Sequence, residues 1–151
     1  MTATFASLEA WPLATLIRTS TWGYPLLEIV HIASFAALVG SLLTLELRVF
    51  GVQPAIPLWA LGRLAVRVAL TGFLLAAASG ALMLLSRATE LATHPAFLAK
   101  LGVMGLAALN AAVFHARDGL RRHDGVARAQ AALSLALWFA VIAAGRLIGY
   151  I

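Results

Sequence analysis

Hydrophobic residues run along this chain in four long blocks, and few polar positions interrupt them. The blocks cover about 24–48, 61–85, 96–116 and 127–150, separated by short stretches rich in Arg, Gly and Pro. Each reaches the ~20 residues that a helix needs to cross a hydrocarbon core. Pro25 suits the first turn of a helix. Gly51, Pro54 and Pro57 close the first block, and Thr93-His94-Pro95 precedes the third. The pattern predicts an all-α fold: an integral membrane four-helix up-down bundle forming one domain over 1–151.

Residues 1–20 follow a different rhythm. Phe5, Leu8, Trp11, Leu13, Leu16 and Ile17 alternate loosely with Glu9, Thr15 and Arg18. This predicts an N-terminal amphipathic helix lying at the membrane interface. The segment has no basic leader region, and Pro12 and Arg18 break its apolar run, so it does not read as a signal peptide.

Composition sharpens the membrane reading. The chain is 62% hydrophobic and 11% charged, against roughly 25% charged in a soluble domain. It contains no cysteine, which excludes disulfides, iron–sulfur clusters and thiolate zinc sites. The net charge of +5 comes mostly from arginines between the blocks or near their ends, which fits a lipid bilayer and not nucleic acid. Arg48, Arg63, Arg67, Arg117, Arg121, Arg122 and Arg128 fall on one side. By the positive-inside rule that side is cytoplasmic. Both termini are then expected on the periplasmic side of a bacterial inner membrane.

Small residues recur inside the blocks: Gly72, Ala76 and Gly80 in the second, Gly102, Gly105 and Ala108 in the third. They are expected to let neighbouring helices approach closely. Ser34, Ser41, Ser79 and Ser134 are expected to bond to helix backbone. Asn110 is expected to make an interhelical hydrogen bond, and Trp138, at mid-span, to pack in the core. Trp11, Trp22, Trp59, Tyr24 and Tyr150 fall near block ends, as an aromatic belt would.

The ionisable residues within the blocks carry the functional reading, because charge inside a membrane is costly and tends to mark a site. Glu28 and His31 share one helical face. Lys100 lies about a turn into the third block and Arg146 about a turn from the end of the fourth. All four fall within about two turns, ~5.4 Å each, of one boundary. One carboxylate cannot neutralise both cations. An anionic haem propionate or a quinone carbonyl would complete the set; the plainer reading is a structural salt-bridge network with snorkelling cations. Arg87, Glu90 and His94 are expected near the same mouth, with the N-terminal segment over it.

His31 is the foremost ligand candidate, since a membrane-embedded imidazole serves haem iron, copper, zinc or a proton relay. A Glu-x-x-His motif occurs once, which disfavours a carboxylate-bridged di-iron site. His115 lies roughly 16 Å deeper than His31 at 1.5 Å per residue, too far for the two to share one iron. His94 is on the correct side and is the second metal-ligand candidate. Glu46 falls about five turns after Glu28 on the same face. With Arg48, Arg63, Arg67, Asn110, His115 and His123 it marks the opposite end.

The stretch Tyr24-Pro25-Leu26-Leu27-Glu28-Ile29-Val30-His31-Ile32, continued by Leu45-Glu46-Leu47-Arg48, resembles an uncharacterised family of small bacterial four-span membrane proteins. So do Phe97-Leu98-Ala99-Lys100, Leu109-Asn110 and Phe114-His115. The resemblance covers most of the chain and implies a fold and a location, with no activity attached. More distantly, the layout is similar to the copper-resistance D membrane domain and to b-type cytochrome membrane domains. The chain departs from the latter in lacking a second span histidine at the depth of His31.

The leading expectation is an inner-membrane cofactor-binding protein. It would hold b-type haem through His31 and exchange electrons with quinone near the periplasmic side. Lys100 and Arg146 would hold propionates or a quinone oxygen, and Glu28 would orient His31 or relay a proton. One alternative is a non-catalytic accessory or assembly subunit with no cofactor, working as a homo-oligomer or in a larger membrane complex. Another is periplasmic copper handling by His31, Glu28 and His94, against which the absence of Cys and scarcity of Met weigh.

Overall fold

Among the described residues, 2–150, the computed structural model has helices and no strand. In chain order they are α1 (Thr2–Glu9), α2 (Pro12–Thr19), α3 (Gly23–Val49), α4 (Leu58–Ser86), α5 (Ala88–Leu91), α6 (Pro95–Ala116), α7 (Gly119–Arg122) and α8 (Gly125–Leu147). Helices α3, α4, α6 and α8 are each long and apolar enough to cross a membrane. They coincide with the four hydrophobic blocks to within three residues at each end. The protein is a multi-pass membrane four-helix bundle.

The ends of these helices have local causes. Gly51 adopts φ +102° after α3, a left-handed conformation that glycine takes without steric penalty. The Val52 amide then reaches back to Leu47 O (3.0 Å) and the Gly51 amide to Arg48 O (3.1 Å), the paired bonds of a Schellman stop. Arg48 braces the following loop by donating to Ile56 O and Pro54 O. Pro95 stands in the first turn of α6, where its missing N–H costs no helical bond. At the start of α8 the Asp124 carboxylate accepts the Ala127 amide at 2.8 Å. That bond holds the Asp124 carboxyl below its ordinary range, with Arg117 nearby adding to the effect.

The bundle is two helix pairs, α3 with α4 and α6 with α8, joined through α3 and α8. The first pair is the tightest. Ala65, Ala69, Gly72, Ala76 and Ser79 form a buried stripe on α4. A Cβ at Gly72 would stand 2.6 Å from Ser34 O and 2.9 Å from Leu38 N, so the two backbones touch there. The small-residue expectation holds for α4 and fails for α6. Gly102 and Gly105 face open space and Ala108 is exposed, while Ala107 is buried. The rotation of α6 about its axis turns a different face to the bundle.

The core gathers Leu38, Ala69, Ala107, Trp138 and Val141, with Phe35 edge-on to Trp138 at 5.9 Å. The Asn110 side chain donates to Gln130 O on α8 at 2.9 Å, the expected interhelical bond. The arginine-rich end contains no single polar cluster. Glu46 is buried against Ser134, His123 donates to Val49 O, Arg63 stacks on Trp59, and His115 bonds within its own helix.

The N-terminal segment is two short helices, not one, because Pro12 starts a new helix after the turn at Trp11. Amphipathic α2 buries Ala14 and Ile17 against α3 and α4, while α1 packs on α5 and α4. The Glu9 carboxylate accepts both the Thr89 amide (2.7 Å) and the Thr89 hydroxyl (2.6 Å). These two bonds hold the Glu9 carboxyl below its ordinary value. Arg18 reaches Ser86 O at 3.5 Å.

Candidate functional site

A cleft of about 680 Å³ opens near the end of the bundle where α3 begins. Glu28, His31, Lys100 and Arg146 all line it. Counting turns from the helix ends placed these four residues at one end of the bundle, because an α-helix rises a fixed distance per residue. Tyr24, Arg87 and Leu91 form the mouth; Phe35, Val39, Gly40 and Val141 lie deepest.

His31 is fixed by α4. Its Nδ1 lies 2.9 Å from Ala76 O and 3.1 Å from Ser79 Oγ, and the Ser79 hydroxyl donates to Leu75 O at 2.7 Å. A carbonyl can only accept, so Nδ1 carries the proton and donates it. The neutral ring then presents Nε2 as a bare lone pair. Nε2 has no hydrogen-bond partner among the described residues, and it is not sealed from the surroundings. Gly80 faces the ring edge; a Cβ there would stand 3.0 Å from His31 Cε1.

Lys100 approaches from α6. It is part-buried and within electrostatic reach of His31. Gly145 on α8 makes room for it, with a Cβ position 3.4 Å from Nζ. Among the described residues the ion pairs are Arg87–Glu90 at 2.7 Å and Arg117–Asp124 at 3.3 Å. Neither involves Glu28, Lys100 or Arg146. Among the described residues the salt-bridge network that the sequence allowed is absent from the cleft, and the Lys100 ammonium has no carboxylate within 4.0 Å.

The rim cations are tied down. Arg146 donates to the Tyr150 hydroxyl at 2.6 Å and its guanidinium lies 4.8 Å over the same ring. Arg87 makes a two-pronged bond to Glu90 and also engages Tyr24. Glu90 holds the Arg87 guanidinium above its already high ordinary value. The Glu28 carboxylate lies exposed at the rim with no hydrogen bond among the described residues.

Two sequence expectations about this mouth are corrected. His94 does not line the cleft. It stands at the N-cap position of α6 without a side-chain capping bond, and its Nδ1 is buried with no partner among the described residues. Among the described residues no three His, Asp or Glu side chains gather to hold a metal ion, so His31, Glu28 and His94 form no such group. The N-terminal segment also leaves the cleft uncovered: no residue of α1 or α2 lines it, because both pack on the flank formed by α3, α4 and α5.

Ser79 bonds to helix backbone as expected, but neither its contact with His31 nor that of Gly80 was foreseen, and Gly145 beside Lys100 was missed altogether. Sequence reasoning also missed Met83 in the cleft wall and read Tyr24 and Tyr150 only as belt residues. None carries a sequence signal beyond its residue type. No family model, no curated protein and no solved structure matches this chain.

Proposed function

We propose that this protein is a membrane-embedded electron-transfer component whose cleft binds the oxygen-bearing head of a quinone-class cofactor. The observation that carries the reading is the part-buried Lys100 ammonium, which lines the cleft near the open Nε2 of His31 with no acidic partner among the described residues. A buried charge without a partner is costly, and a ligand oxygen would offset that cost. Lys100 would donate to one oxygen of the head. His31 Nε2, bare while Nδ1 is committed to Ala76, would accept a hydrogen bond from a hydroxyl of the reduced form. Glu28 stands a turn nearer the rim on the same helix face. Arg146, held by Tyr150, would flank the head at the rim. The arginine-rich end would face the cytoplasm, with the cleft toward the periplasm of a bacterial inner membrane.

A second reading is haem b in the same cleft with His31 as iron ligand and Lys100 and Arg146 on the propionates. What favours it is the Nδ1–H bond to a backbone carbonyl, the support a ligating imidazole commonly has. One imidazole lines the cleft, so a bis-histidine haem lacks its second ligand there; the Met83 thioether is the other soft donor in the wall.

The test is an absorption spectrum of detergent-purified protein, oxidised and then reduced, followed by equilibrium binding of a tailless benzoquinol. A featureless spectrum with quinol binding lost in Lys100→Ala supports the first reading. Sharp reduced bands lost in His31→Ala support haem. Neither result would leave an accessory subunit of a larger complex as the better account.

A further inference from the structure

The cleft is longer than a headgroup. On α3 its wall runs from Tyr24 through His31 to Gly40, which at 1.5 Å per residue is roughly 24 Å, with roughly 13 Å of it beyond His31. Polarity changes sharply along this length. Tyr24, Glu28, Arg87 and Arg146 stand at one end and His31 and Lys100 follow. Below them Phe35, Val39 and Val141 are purely apolar. The cleft is also open along its side. Ile32, Ala36 and Gly40 occupy one edge of α3 at successive turns, and each both lines the cleft and is exposed at the bundle surface. Ile142 does the same on α8. In a membrane that exposed edge meets lipid.

We infer that the ligand is a lipid-tailed quinone that enters sideways from the bilayer. Its head lies at Lys100 and His31, and the first part of its hydrocarbon tail lies along the apolar floor beside Gly40. This rests on the quinone reading above and names its substrate class: a membrane-dissolved carrier, not a short soluble quinone. The polar end matches a head with two oxygens, the apolar length has no use for such a head alone, and the side opening gives a tail a route that crosses no polar surface. Apolar tail and lipid have similar affinity for each other, so the gain on binding is close packing against the floor, which is sensitive to shape.

Gly40 makes this testable without disturbing the bundle. A Cβ there would meet nothing within 4 Å, and most residues favour a helix more than glycine does. Gly40→Phe would fill the floor of the cleft; Gly40→Ala would hardly change it. Each protein is titrated in detergent with two probes that share one quinol head, one tailless and one carrying an isoprenoid tail. Comparing variants for one probe at fixed detergent cancels partitioning into micelles. The expected result is that Gly40→Phe weakens the tailed probe about tenfold, a packing loss, and leaves the tailless probe and the Gly40→Ala protein unchanged. Equal affinity of Gly40→Phe and wild type for the tailed probe overturns the tail placement while the head site stands. Tailless binding that survives Lys100→Ala overturns the head site itself, and with it this inference.

Discussion

The imidazole Nδ1 of His31 and the backbone carbonyl of Ala76 lie 2.9 Å apart, joining two membrane-spanning helices across 45 positions of sequence. The bond fixes both the ring's orientation and its proton. Nitrogen-15 spectra of protein labelled at histidine are expected to show His31 with a protonated Nδ1 and an unprotonated Nε2 when the ring is neutral. Gly80→Ala would bring a Cβ to 3.0 Å from Cε1 and push the ring off this bond. The tautomer signature is then expected to disappear and quinol affinity to fall about tenfold, with helical content unchanged.

Lys100→Met separates stability from binding. The ammonium has no acidic partner among the described residues, and methionine keeps the length of the side chain without the charge. The variant is expected to unfold at a higher temperature than wild type in ligand-free detergent, by about 1 kcal/mol. It is also expected to lose quinol binding. A fall in melting temperature would show that Lys100 has a structural partner and would remove the main support for the functional reading.

The contact between α3 and α4 predicts a sharp contrast among glycines. Gly72→Ala would place a carbon 2.6 Å from Ser34 O. Backbone cannot step aside as a side chain can, so the loss is expected to be about 3 kcal/mol, at the upper end for overpacking. Gly102→Ala and Gly105→Ala meet nothing within 4 Å and are expected to be neutral or slightly stabilising. Thermal unfolding of the three variants in one detergent checks this directly.

The tie between Glu9 and Thr89 predicts a pH dependence outside the membrane. Two hydrogen bonds from Thr89 hold the Glu9 carboxyl below its ordinary value of 4.5. A lowered folded value means that the tie contributes stability above the ordinary value and loses it as pH falls through the lowered one. Protection of the Thr89 amide from hydrogen exchange, corrected for intrinsic rate, is therefore expected to be full near neutrality and to drop as pH falls through the lowered Glu9 value. In Glu9→Ala it is expected to be low at every pH.

Much of the site was legible because helices are regular. Glu28 and His31 had to share a face, and Lys100 and Arg146 had to lie near their depth, once the spans were located. His94 illustrates the limit. A residue at a helix start takes its direction from the turn before it, so proximity in sequence to the mouth did not place it in the cleft. Gly102 and Gly105 illustrate another, since which face of α6 meets the bundle depends on a rotation that its uniformly apolar sequence leaves open.

Hydrophobic block length alone determined that this chain crosses a membrane four times as helices, because backbone groups in hydrocarbon must bond within their own segment. The rarity of charge in those blocks likewise marked the few residues that line the cleft. Only the tertiary structure decided which of them found partners. Arg146 is captured by Tyr150 and Arg87 by Glu90, and Lys100 is left facing open space. These outcomes depend on angles between helices and on side-chain reach across the bundle, distances that no periodicity along one helix encodes.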